Sequence, residues 1–96
     1  MKIIMKKPGE KPEVIEIENK LSALQEAVGG YIQAVPVAED ICVICNEEGK
    51  LLGLPYNMRL GKDTLVGTIL VVGVAREEFC DLSDFWLMTL MGDNDD

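Results

Sequence analysis

Alternating apolar and polar positions predict two short strands at the start of the chain. Ile15 and Ile17 in residues 14–17 alternate with Glu16 and Glu18, and residues 2–5 are also largely apolar. Between the two segments, residues 7–10 read Lys-Pro-Gly-Glu, which is typical of a type II turn because glycine adopts the required positive φ at little cost. These residues therefore predict an antiparallel hairpin.

An apolar stripe predicts a helix after this hairpin. Leu21, Leu24 and Val28 lie three and four residues apart, so they share one face of a helix. Asn19 is expected to cap its N-terminus, and the glycine pair that follows Val28 is expected to end it.

The middle of the chain predicts three strands. Pro36 cannot donate a backbone hydrogen bond, so residues 31–37 predict a strand at an edge of the sheet. Residues 41–45 are apolar on both faces, which indicates a central strand. A turn with Gly49 in the left-handed conformation is then expected to return the chain antiparallel through residues 51–54.

The C-terminal half predicts a loop, a strand and a helix. Residues 55–63 are expected to form the loop, and residues 66–74 a long strand in which Gly73 marks a bulge or a close backbone approach. Asp81 is expected to cap a final helix that runs to Met91 and is apolar almost all round. Such a helix is either enclosed or meets a partner.

Together these elements predict an α+β fold with a small mixed, mainly antiparallel sheet of about five to six strands and two helices. Residues 1–91 are expected to form one domain, followed by an acidic tail at residues 92–96.

The chain is acidic, and its charge is unevenly distributed. Nine basic side chains stand against seventeen acidic ones, a net charge of −8. Residues 1–20 carry five lysines and four glutamates, or +1, so residues 21–96 carry four basic and thirteen acidic side chains, or −9. We therefore expect no direct nucleic-acid binding and an attraction to basic partner proteins. Solubility alone is the alternative role for this charge.

The sequence also bears on location. The longest apolar run, residues 67–75, is too short to span a bilayer, so no membrane association is expected. The N-terminus lacks the apolar stretch of a secretory signal, and three cysteines give no sign of an oxidising compartment. We expect a cytoplasmic protein.

The chain contains no histidine, which excludes Ser-His and Cys-His nucleophile pairs and most zinc sites. Cys42 and Cys45 lie three positions apart in a predicted strand, so their thiols point to opposite faces and do not converge on a metal. We expect these thiols to be buried and inert, and Cys80 stands alone. No catalytic residue, metal site or cofactor is predicted, and the chain is not expected to be an enzyme.

Polar side chains at predicted loops form a candidate ligand-binding site. Tyr56, Asn57 and Arg59 combine a phenol, an amide and a guanidinium, and Tyr31 and Asn46 lie at neighbouring strand ends. Such groups can orient a polar ligand. The alternative is an ordinary connection, in which the amide makes a turn and the guanidinium pairs with a carboxylate.

Acidic pairs at predicted turns, with the tryptophan of the final helix, form the candidate surface for a protein partner. A magnesium-binding or acid–base role is the alternative for these carboxylates, although solvated charge is the usual state at turns. The final helix could also pair two copies of the chain as a homodimer. The candidate residues are Glu39, Asp40, Glu47, Glu48, Glu77, Glu78 and Trp86.

Three segments resemble a known family. They read GGYIQAVP, ICVICNEEGKLLGLPYNMRL and VGTILVVGV, and their most specific part is ICNEEGKL-x-GLP-x-N at residues 44–57. They are similar to a family of small domains of unknown function found in phages, plasmids and conjugative elements of gut-type Firmicutes. The resemblance implies an accessory protein of a mobile element and brings no activity or catalytic residue with it.

Charge and resemblance together favour a non-enzymatic protein that binds and inhibits a host protein. A nucleic-acid-handling defence factor is the kind of target expected, because an acidic surface can occupy its basic groove. A second interpretation is a protein that binds or sequesters a small polar ligand or nucleotide. A third is an uncharacterised housekeeping domain.

Overall fold

The computed structural model describes residues 1–92 and contains a main antiparallel sheet, a small second sheet and two helices in that part of the chain. The predicted α+β class is confirmed. Except for Gly92, the predicted acidic tail lies outside the described residues. The elements are β1 (Lys2–Lys6), β2 (Glu13–Glu16), α1 (Leu21–Val28), β3 (Ile32–Ala38), β4 (Ile41–Asn46), β5 (Tyr56–Leu60), β6 (Asp63–Val66), β7 (Ile69–Ala75), β8 (Glu78–Cys80) and α2 (Asp84–Met91).

The main sheet has β4 and β7 at its centre. Its strand order is β2-β1-β7-β4-β3, and β8 pairs with the C-terminal half of β7. All six residues of β4 are buried, which confirms the central strand predicted from its apolar pattern. β3 lies at an edge, as its proline predicts. Because the central strands are apolar on both sides, both faces of the sheet need a covering layer.

The first face of the sheet is covered by α1. Leu24 and Val28 of the helix pack against buried side chains of β1, β4 and β7. The second face is covered by two separate pieces. Leu65 of β6 packs against Val43 and other residues on one side, and α2 packs beside Leu82 on the other.

The N-terminal hairpin and the end of α1 form as predicted. β1 pairs with β2 in antiparallel register, and Gly9 in the connecting turn has φ +72°. Gly29 ends α1 with φ +81°, and its N–H donates to Gln25 O at 2.8 Å. Only glycine adopts these two conformations at little cost.

Both predicted helix caps are wrong, because the two side chains bind elsewhere. Lys20 precedes α1 and makes no capping bond, while Asn19 Nδ2 donates to Phe79 O at 2.8 Å. Asp81 Oδ1 accepts a bond from the Lys2 N–H at 2.8 Å. In each case a contact distant in sequence replaces the local cap.

The cap of α2 is a serine. Ser83 Oγ accepts a hydrogen bond from the Trp86 N–H at 3.3 Å, and the helix begins at Asp84. The residue that caps α2 therefore lies two positions beyond the aspartate expected to do so.

The predicted strand at residues 51–54 and the loop at residues 55–63 are wrong. β4 already pairs with β3 and β7, so no free edge remains for a returning strand. Residues 47–53 form turns instead, and β5 and β6 form the second sheet around Gly61, which has φ +60°. Gly49 is not left-handed. Its absent side chain allows Val66 to approach, since a Cβ would lie 2.8 Å from Val66 Cγ2.

The predicted strand at residues 66–74 is confirmed from Ile69 onward as β7, but its first residue belongs to β6. β6 ends at Val66, Gly67 turns the chain with φ +73°, and β7 begins at Ile69. Gly73 makes the close backbone approach, one of the two roles expected of it, because a Cβ there would collide with the backbone oxygen of Asp81. The register between β4 and β7 shows no bulge.

The close approach at Gly73 predicts a large cost for adding one methyl group. We expect Gly73→Ala to lower the free energy of unfolding by about 1–3 kcal/mol, because the backbone of the segment after β8 must move. Gly92→Ala is the matched control, since a Cβ at Gly92 would meet no described atom within 4 Å and its φ is −65°. Urea unfolding of both variants measures the difference, and equal stabilities would contradict the close approach.

Candidate binding surfaces

Four exposed carboxylates lie at one end of the main sheet. The start of β4 lies beside the end of β7, because the two strands are antiparallel neighbours, and the Val74 N–H donates to Asp40 O at 3.0 Å. The β3–β4 turn and the β7–β8 turn therefore meet. Together they present Glu39, Asp40, Glu77 and Glu78, which we name the acidic end.

Glu47 and Glu48 lie at the opposite end of β4. The six residues of that strand separate them from the acidic end by about 20 Å at about 3.3 Å per residue. Both are exposed. The six acidic residues predicted as one partner-binding set therefore fall into two groups, and only the first group lies near α2.

Trp86 joins α2 to the acidic end. Its indole Nε1 donates to both carboxylate oxygens of Asp40, at 3.1 and 3.2 Å. The half-buried ring packs with the cluster formed by Ile4, Ile41 and Leu82. The structure thus brings two predicted partner-binding residues, Asp40 and Trp86, into direct contact.

The outer face of α2 is apolar and exposed. Phe85 is 68% exposed and Met88 is 73% exposed, whereas Trp86, Leu87 and Met91 pack toward the sheet. The Phe85 ring stands edge-on to Trp86, with centroids 5.2 Å apart. We name Phe85 and Met88 the outer apolar face of α2. The sequence predicted that this helix is either enclosed or meets a partner. The structure encloses only the side of the helix that faces the sheet.

The turn that carries one of the acidic residues is strained. Arg76 and Glu77 have φ values of +54° and +67°, and no other non-glycine residue in the described chain has a positive φ. Asparagine and glycine usually occupy such two-residue hairpin turns, because this conformation costs other residues about 1–2 kcal/mol each. Strain of this kind concentrates at functional sites.

An apolar groove of about 370 Å³ crosses the second face of the sheet. It lies between the two pieces that cover this face, since residues of both α2 and the β5–β6 hairpin line it. The floor of the groove is formed by five side chains of the central strands and β1, namely Ile4, Ile41, Val43, Ile69 and Val71. Its walls are Met58, Leu60 and Leu65 of the hairpin and Trp86 and Leu90 of α2. The lining also includes Lys6, Pro12 and Val37.

Asn57 ties the hairpin to the main sheet. Its side chain is buried, and Nδ2 donates to Lys6 O at 2.8 Å and to Gly67 O at 2.7 Å. Its Oδ1 accepts a bond from Lys6 Nζ at 2.8 Å. The amide therefore uses its donors on the backbone of its own chain, and it holds the ammonium group at the groove.

Asn46 has a similar internal role at the other face. It is buried, Nδ2 donates to Val28 O at 3.2 Å, and Oδ1 accepts from the Glu48 N–H at 2.8 Å. Tyr31 is exposed and shares with Asn46 a cavity of about 220 Å³. Two of the five predicted ligand-binding residues thus lie together at the end of α1.

Tyr56 and Arg59 lie on the hairpin, away from that cavity. Tyr56 is 60% exposed, and Arg59 Nε donates to Gly61 O in the hairpin turn at 3.1 Å. Neither residue lines the groove or the cavity beside Tyr31. The five polar residues therefore do not converge on one site.

The thiols of β4 point to opposite faces of the sheet, as their spacing predicts. Cys42 belongs to the cluster under α1, and Cys45 to the cluster under the hairpin. Burial raises the pKa of both thiols above the ordinary value. Residues 1–92 contain no group of three or more potential metal ligands, and no helix in that range is long and apolar enough to cross a membrane.

Residues 55–63, which were expected to form a loop, contain the sequence pattern of the hairpin that forms one wall of the groove. Met58 and Leu60 alternate with polar residues there, and a two-residue Gly61-Lys62 turn separates them from the segment that contains Leu65. This pattern is the ordinary signal of a hairpin. Lys6 carries no such signal, because its position depends on the pairing of β1 with β7.

The hydrogen bonds of Asn57 predict a structural role. We expect Asn57→Ala to lower the free energy of unfolding by about 1–3 kcal/mol, because two backbone carbonyl groups lose their donor. Arg59→Ala is the control, and an exposed change of this kind should cost less than about 0.5 kcal/mol. Urea unfolding of both variants measures this, and equal losses would contradict the role of the amide.

The comparisons with known proteins give a family and no activity. The model of the family described as "Domain of unknown function (DUF3846)" matches residues 1–92. A search of curated proteins and a search of solved structures found no match. A family of unknown function was expected from the resemblance, and that expectation is confirmed. The chain belongs to the DUF3846 family.

Proposed function

We propose that this chain is a non-enzymatic binding protein, and that its acidic end and the outer apolar face of α2 together bind a basic protein partner. One observation carries the proposal. Phe85 and Met88 expose most of their side chains on a helix that Trp86 bonds to Asp40 of the acidic end.

The chemistry of this surface specifies the chemistry of the partner. Exposed aromatic and methionine side chains are typical of the centre of a protein interface, which a polar rim surrounds. Here the rim is acidic, so a partner with basic side chains around an apolar patch is complementary. Charges of opposite sign also accelerate association and make it sensitive to salt.

We further propose that the partner is a host protein that handles nucleic acid, and that binding inhibits it. The support is the charge of −9 in residues 21–96, which can occupy a groove built for phosphate groups. The resemblance to domains of phages, plasmids and conjugative elements supports a role against a host defence factor. This role needs no cofactor, and its setting is the cytoplasm of the host.

The proposal predicts which variants lose the partner. Immobilised protein would be exposed to lysate of a Firmicute host at about 50 mM and about 500 mM salt, spanning Debye lengths above and below about 10 Å. We expect a partner held at low salt and released at high salt. Phe85→Ser with Met88→Ser should abolish capture, and Glu39→Gln with Glu77→Gln and Glu78→Gln should weaken it at low salt.

The matched control uses the acidic residues at the other end of β4. Glu47→Gln with Glu48→Gln removes two charges about 20 Å from the acidic end, so capture should persist. Equal losses in the two charge variants would contradict a localised surface, and capture independent of salt would contradict its electrostatic part.

The homodimer predicted through α2 is the competing use of the outer apolar face. Two copies that meet there would bring their acidic ends together, and like charges across an interface cost several kcal/mol. We therefore expect a monomer by light scattering at high micromolar concentration and about 50 mM salt. A dimer that disappears in Phe85→Ser would replace the foreign partner with a second copy.

A further inference from the structure

We infer that the groove between α2 and the β5–β6 hairpin is a binding site for an aliphatic monocarboxylate, with the hydrocarbon chain on the sheet and the carboxylate at Lys6. This inference goes beyond the proposed function, because the groove lies on the inner side of α2. The partner surface lies on the outer side of the same helix.

The lining of the groove is apolar except at one position. Lys6 is the only charged side chain among the thirteen described residues that line it, although the chain has seventeen acidic side chains. In so acidic a protein, a site whose described lining has no carboxylate suits an anion with a long apolar body. A cationic headgroup finds no carboxylate among these lining residues.

Lys6 is placed to receive an anion. Its Nζ donates one hydrogen bond to Asn57 Oδ1 at 2.8 Å, and no carboxylate of the described residues lies within ion-pair distance of it. An ammonium group has three N–H donors, so two remain for a ligand. The bond to Asn57 fixes the group in advance, which lowers the entropy cost of binding.

The dimensions of the groove set the length of the ligand. Its lining reaches from Lys6 on β1, across β7 and β4, to Val37 on β3. Three spacings of about 4.8 Å give about 14 Å across the sheet. An extended chain covers about 3.5 Å with three bonds, so the nine C–C bonds of a ten-carbon acid cover about 10.5 Å and leave about 3.5 Å for the contact between its carboxylate and Lys6. The volume of about 370 Å³ also lies within the range of small-molecule sites.

The test is a titration with decanoate followed by tryptophan fluorescence. Trp86 is the only tryptophan of the chain and lines the groove, so it reports occupancy directly. We expect a saturable change with decanoate below its micelle concentration. Decylammonium, which has the same chain and the opposite charge, should bind at least tenfold more weakly, and decanol should also bind more weakly than decanoate.

Variants separate the two parts of the site. Lys6→Gln keeps a donor for Asn57 and removes the charge, so it should weaken decanoate binding about tenfold, while Lys6→Arg should retain it. Val37→Phe fills the exposed end of the groove and should weaken all three ligands alike. Urea unfolding checks that each variant is folded, and the three ligands on the unaltered protein test the charge preference without any substitution.

The results distinguish this inference from the proposed function. Met88→Ser on the outer apolar face of α2 should leave decanoate binding unchanged, because Met88 does not line the groove. The absence of saturable binding, or equal affinity for decanoate and decylammonium, would overturn the inference. Unchanged decanoate affinity in Lys6→Gln would also overturn it. None of these outcomes tests whether the acidic end and the outer apolar face of α2 bind a protein partner.

Discussion

The pairing of β4 with β7 dictates where every other element of the structure must pack. Four register pairs join the two strands, and both strands carry apolar side chains on each face. A sheet with such a centre cannot leave either face in water. The remaining elements are arranged so that each face of these two strands receives a cover.

The two faces meet this requirement differently. One helix suffices on the first face, where Leu24 and Val28 reach the central strands. The second face is shared by a short hairpin and a short helix from distant parts of the chain. Because each packs on its own part of the sheet, an apolar strip remains between them. The groove is thus a consequence of covering one face with two small pieces.

The distribution of charge gives the two surfaces of α2 different properties. The exposed carboxylates of the acidic end are joined to α2 by the hydrogen bond from Trp86 to Asp40, and Phe85 and Met88 of the same helix meet solvent. The inner side faces a groove in which Lys6, held by Asn57, is the one charged side chain among the described lining residues. A net charge of −8 describes neither surface, since it averages over both. The local environment of each side chain decides which ligands it can receive.

Local signals in the sequence were sufficient to predict part of the fold, and contacts between distant segments decided the rest. Alternation and a Pro-Gly turn identified the first hairpin, a glycine pair ended α1, and an unbroken apolar run identified β4 as central. These features depend on backbone preferences within a few residues. By contrast, Asn19 and Asp81 have side chains that often cap helices, but they form hydrogen bonds with β8 and β1 instead. The acidic end and the groove depend on strand order, which no local pattern encodes, because it arises from the competition of all apolar segments for the same two faces of one sheet.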